Sequence, residues 1–184
     1  MAKKGIRYAA FAHATVGAGG AITYADGCVI SPVAGFNGSA NKASAKDWGD
    51  DRAVDSENSV TGGTLNVELN NDEDDIYTYL LGHTKATGSG SSEVTFNVDD
   101  EPPLVGVGAY GKSGSKWVAK WYSLVRFSEP NDDNTTKQEN VTFGHITLEG
   151  EIIIPENGDW KFRETFETEA AAKTWINTKA GISE

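Results

Sequence analysis

Along most of the chain, apolar and polar residues alternate with a period of two. Leu65, Val67 and Leu69 are interleaved with Thr64, Asn66 and Glu68; Val94, Phe96 and Val98 with Thr95, Asn97 and Asp99; Ile146 and Leu148 with His145, Thr147 and Glu149. Successive side chains of a strand point to opposite faces, so this alternation predicts strands with one buried and one wet face. The stretch Lys116 to Phe127, KWVAKWYSLVRF, is aromatic and β-branched on both faces, which predicts a strand covered on two sides. Clusters of Gly, Ser, Asn and Asp at 17–20, 87–92, 111–115 and 131–134 punctuate these runs as turns.

Two stretches follow the helical period instead. Asp72 to Leu81 has Asn71 as a cap, acids in its first turn, Ile76, Tyr79 and Leu80 on one face, and Gly82 as a stop. Glu169 to Lys179 is capped by Thr168, carries Ala172, Trp175 and Ile176 as its stripe, and ends at Gly181. From Gly35 to Gly63 neither period holds, and this predicts a long polar loop, an arm on the domain. No repeat or linker divides the chain, so residues 1–184 read as a single domain of mainly β class.

Composition narrows the function classes. A chain of 184 residues can remove roughly 70% of its unfolded surface from water, so no staple is required. The single cysteine, Cys28, has no internal partner and reads as a small buried apolar residue. No apolar run approaches the ~20 residues of a membrane span, and the basic start MAKKGIR is not followed by the apolar stretch of a cleaved signal. Sixteen Lys+Arg against 27 Asp+Glu give a net charge of −11, which repels phosphate backbones. Tight nucleic-acid binding is excluded, whereas a surface that DNA passes without sticking is compatible.

Several motifs invite chemistry that their context denies. Gly106 to Ser113, GVGAYGKS, satisfies both the phosphate-loop and the dinucleotide pattern, but those sites need a helix immediately after the glycines. Here a strand-like segment follows, so the expectation is a glycine-rich strand, Leu104 to Tyr110, turning through Gly111–Ser115. His13, His83 and His145 show no metal-ligand spacing, no nucleophile elbow is present, and the Asp72–Asp75 run lacks a calcium-loop pattern. No cofactor, metal or catalytic step is expected. Five tryptophans at 48, 117, 121, 160 and 175 leave a carbohydrate-binding module as the rival reading; Trp117 and Trp121 share one strand face, where packing is the default.

Several segments, taken in order, resemble the major tail protein family of long-tailed bacteriophages. They are KKGIRYAAFA, GTLNVELNNDEDDIYTYLLGHT, PPLVGVGAYGKSG, KWVAKWYSLVRFSEPNDDNTTKQENVTFGHITLEGEI and ENGDWKFRETF with AAAKTWI. The resemblance covers most of the chain and is weakest between Gly35 and Gly63. It implies a β-sandwich or barrel with one flanking helix and a short C-terminal helix, closing into hexameric rings that stack into a tube carrying genomic DNA. By the same resemblance the partners are further copies of the chain and the tape-measure, distal tail and tail terminator proteins. The location would be the virion tail, assembled in the host cytoplasm with no membrane, and another virion structural protein stands beside the carbohydrate-binding module as an alternative. Glu68, Glu149 and Glu151, on the polar faces of the best strands, are the expected lumen-facing acids. Asn41, Lys46, Trp48, Asp50, Asp51 and Arg52 are the expected inter-ring contacts of the arm.

Overall fold

A computed structural model describes residues 3–49, 52–70, 73–131 and 146–183, with the backbone alone at 3, 4, 44–49 and 52–58. In chain order the strands are β1 (Lys3–Val16), β2 (Ile22–Ile30), β3 (Val33–Gly49), β4 (Arg52–Leu69), β5 (Thr84–Gly88), β6 (Ser91–Thr95), β7 (Val105–Ser113), β8 (Lys116–Phe127), β9 (Ile146–Ile152) and β10 (Lys161–Phe166). Helix α1 (Asp74–Leu81) precedes β5, and α2 (Glu169–Ala180) follows β10. The chain is mainly β, and eight strands form one antiparallel sheet in the order β2–β1–β7–β8–β9–β4–β3, with β10 also paired to β8. β5 and β6 form a separate hairpin.

The large sheet folds over on itself. Phe36 of β3 and Tyr122 of β8 lie three strand positions apart, about 14 Å in a flat sheet, yet their ring centroids are 5.8 Å apart. The β3–β4–β9 part therefore faces the β1–β7–β8 part across a common core. Phe11, Val107, Tyr122, Val125 and Phe127 come from one side, Leu65, Val67, Leu148 and Ile152 from the other, and Ile76, Leu80 and Leu81 of α1 pack into the same cluster. Gly38 is required by this closure, since a Cβ there would sit 2.1 Å from the Tyr122 hydroxyl.

A second core lies on the opposite face of β1, β7 and β8, under α2. Trp121 is its centre, fully buried with Ala10, Ala12, Ala172, Ile176 and Ala180. The glycines of GVGAYGKS are explained here: a Cβ on Gly106 or Gly108 would lie 2.6 or 2.4 Å from the Trp121 ring. The motif lies inside strand β7 and leads through the Gly114–Ser115 turn straight into β8, with no helix for a phosphate. β8 is indeed covered on both faces, with Tyr122 and Val125 in the first core and Ala119 and Trp121 in the second.

Helix α2 forms as its caps dictate: the Ala171 N–H donates to the Thr168 hydroxyl at 3.3 Å, and Gly181 takes the left-handed conformation. α1 ends at Gly82 as expected but starts at Asp74 rather than Asp72. Glu73 stands at its N-cap and makes no side-chain cap hydrogen bond, while Asn71 and Asp72 lie outside the described residues.

Two expectations are corrected. The segment from Gly35 to Gly63 is not a loop but the outer part of a long β3–β4 hairpin. Ladder pairing needs no apolar residue, so strands whose side chains stay exposed, as at 41–43 and 59–61, leave no period in the sequence. The alternation at Val94 to Val98 is not a half-buried strand: β6 ends at Thr95, Phe96 is 56% exposed and Val98 97%. The detached β5–β6 hairpin offers no core for them to enter.

Candidate assembly surfaces

The β3–β4 ladder runs from Val33 opposite Leu69 to Gly49 opposite Arg52, whereas β9 accompanies β4 only from Leu69 to Gly63. Beyond Gly63 the hairpin continues as two strands, with no third strand paired to it among the described residues. The boundary carries a register shift at Asn41/Lys42, opposite Gly62 with φ +151°, a conformation only glycine adopts readily. Asn41, Lys42 and Ala43 on β3, and Ser59, Val60 and Thr61 on β4, are all exposed. An isolated two-stranded ribbon is marginal in water, so contact with another surface would stabilise it.

Among the arm residues expected to make contacts, Asn41 pairs with Gly62 at the root of the arm. Lys46 lies opposite Ser56 and Trp48 opposite Ala53, while Arg52 faces Gly49 at the far end; Asp50 and Asp51 lie outside the described residues. Among the described residues, β2 and β3 end the sheet order and β10 pairs on one side only, so three edges are available for strand addition.

The three acids expected on the polar faces of their strands lie on one side of the β4–β9 pair. Glu149 lies opposite Asn66 and Glu151 opposite Thr64, and β4 alternates Thr64, Asn66 and Glu68 on that side. Glu149 and Glu151 are exposed. Glu68 differs: it is half-buried, and its carboxyl lies over Gly35, within 2.7 Å of where a Cβ would stand.

Beside Glu68 opens a cleft of about 720 Å³ that periodicity did not reveal. Ala34 to Gly38 of β3 overhang it, and Ile6, Ala109 and Val118 line its wall. Lys112, Lys120, Lys161 and Arg163 bring four cations to it from β7, β8 and β10, with Arg163 directly opposite Lys120 and Lys161 opposite Tyr122. Lys161 rests over the Tyr122 ring at 5.0 Å, and among the described residues neither it nor Arg163 is ion-paired.

At the other end of β7 and β8 a buried histidine holds three segments together. His83, just past α1, has its Nδ1 2.7 Å from the Asp100 carboxylate and its Nε2 against the Glu129 carboxylate, with the Phe96 ring 4.5 Å away. Burial pulls the His83 pKa down, but hydrogen bonds to the two carboxylates outweigh it and the net direction is upward. Asp100 is correspondingly lowered, first by its hydrogen bond to His83. Both ring nitrogens are engaged and the side chain is 4% exposed, so the imidazole acts as a fastener and offers a substrate no free nitrogen. No group of three or more His, Cys, Asp or Glu among the described residues is arranged to hold a metal, and no helix among them is long and apolar enough to cross a membrane.

Among the described side chains, the tryptophans form no exposed platform. Trp121 is buried, Trp117, Trp160 and Trp175 are half-buried in contacts with neighbouring rings and cations, and the Trp48 side chain lies outside the description. No family model matches the chain, and no curated protein matches it.

Proposed function

We propose that this chain is a structural subunit that self-assembles, the major tail tube protein of a long-tailed bacteriophage. The single observation that carries the reading is the β3–β4 arm, a paired ribbon that continues past the point where β9 stops and whose described side chains, at 41–43 and 59–61, are exposed. A subunit of a stacked ring can use such a ribbon to reach its neighbour, where contact would stabilise an otherwise marginal two-stranded ladder. Three available sheet edges support lateral joining, because head-to-tail pairing that closes by rotation gives a ring without a free edge. In this reading rings, hexameric by family resemblance, stack into a conduit for genomic DNA. The acidic face bearing Glu149 and Glu151, with Glu68 at its margin, lines the bore and keeps DNA moving by repulsion, over a range of about 8 Å at physiological salt.

Negative-stain microscopy of the concentrated protein tests this directly. Rings or hollow fibres are the expected result; a persistent monomer that binds glycans would instead establish the carbohydrate-binding alternative. Deleting Asn41 to Asn58 sharpens the test. The pairing of Ala40 with Gly63 survives across a short turn, so the variant is expected to keep its circular dichroism and melting transition while forming no long tubes. Normal tubes from the deletion variant would overturn the role of the arm.

A further inference from the structure

The turn from Phe96 to Glu101 is an apolar knob with an acidic rim. Val98 is 97% exposed and Phe96 56%, flanked by the exposed carboxylates of Asp99 and Glu101. The knob is held in shape. The Asn97 N–H donates to Asp100 at 3.1 Å, the Asp99 N–H to the Asn97 side chain at 3.1 Å, and the Asp100 N–H to the Asn97 carbonyl at 3.0 Å. His83 grips Asp100 from below, and Phe96 lies edge-on to Tyr77 at 5.4 Å. A preorganised turn loses little freedom on binding, and its two exposed apolar side chains would leave water wherever a partner covered them.

The cleft at the opposite end of the sheet is its complement. Its wall is apolar, through Ile6, Phe36 and Val118; Lys112, Lys120, Lys161 and Arg163 are its cations, and Glu68 is the one acid set against them, so the lining stays cationic. A volume of about 720 Å³ is in the range of sites that take a few side chains. On a chain of net charge −11, such a cationic cleft draws acidic partners, and the copies of the chain themselves carry a matching one.

We propose that the Phe96–Glu101 knob of one copy seats in the Lys120–Lys161–Arg163 cleft of a second copy. The two surfaces of one chain cannot meet each other: seven residues of strand, about 23 Å, separate Lys120 from Phe127 at the knob end of β8. The contact is therefore heterologous and leaves a free knob and a free cleft at the two ends of every pair, the condition for open, polar growth. This inference rests on the tube reading, for which it supplies the contact along the axis.

Charge reversal tests it. Asp99→Lys with Glu101→Lys, and separately Lys161→Glu with Arg163→Glu, are each expected to abolish long assemblies and leave melting unchanged. Mixing the two variants is expected to restore them, because each altered surface then meets its altered complement. In a Cys28→Ser background, Val98→Cys in one population and Val118→Cys in another are expected to give an intermolecular disulfide. Crosslinking without tubes would uphold the contact and remove the tube reading; tubes that tolerate both reversals and never crosslink would remove the contact and leave the tube. Neither tubes nor crosslinks at high concentration would overturn both.

Discussion

The β3–β4 hairpin has two halves that share one ladder and follow different rules. In the body half, from Val33 to Ala40 and from Gly63 to Leu69, β9 flanks the ladder and Leu65, Val67 and Leu69 are buried to 1% exposure or less. In the arm half the same strands keep pairing, but the side chains described there, at 41–43 and 59–61, are all exposed. Pairing and burial are thus separable. Burial specifies register, because a slip of one residue would turn Leu65 and Val67 out to water; at 41–43 and 59–61, the side chains described in the arm, no burial adds to the pairing.

The largest effect that sharpens this contrast is in the body. Leu65→Ala should cost about 2–5 kcal/mol by chemical denaturation, and Gly38→Ala about 1–3 kcal/mol because the new methyl collides with Tyr122. A smaller, conditional effect belongs to the histidine fastener. The folded pKa of His83 is raised, so its contribution is full below the ordinary histidine value near 6.5 and is lost as pH rises through the raised value. Unfolding free energy measured against pH should therefore fall on the alkaline side, and His83→Gln should flatten that fall; an unchanged slope would show that the fastener is not protonated. The smallest effect is in the arm. Val60→Ser should change stability by no more than about 0.5 kcal/mol, and a loss comparable to Leu65→Ala would break the comparison by showing that the arm is buried within the single subunit.

What was legible in the sequence was local. The two-sided pattern of β8, the Thr168 cap and the Gly82 and Gly181 stops each depend on residues within a few positions of one another, and each forms as read. The arm was misread because unpacked strands carry no apolar rhythm. The alternation of Val94, Phe96 and Val98 was real, but a pattern of exposed and hidden positions does not distinguish a core from a docking surface. The His83 fastener joins residues 17 and 46 positions apart with no spacing rule to mark it. The cleft needed the fold, since Lys161 and Arg163 alternate visibly on β10 but Lys120 reaches them from another strand.

One edge of β8 is shared by two partners in succession. β10 takes Trp117 to Tyr122, β9 takes Val125 to Phe127, and the chain between them carries a register shift against β7, with the Ser123 N–H donating to the Trp160 carbonyl and the Ile153 N–H to the Leu124 carbonyl at the changeover. β4 follows β9 and does not continue onto β10, so the sheet forks there like a split plank. The wedge of space between the prongs is a product of connectivity and not of any one side chain. Recharging or resizing Lys120, Lys161 or Arg163 therefore alters what the wedge admits while leaving the wedge itself open.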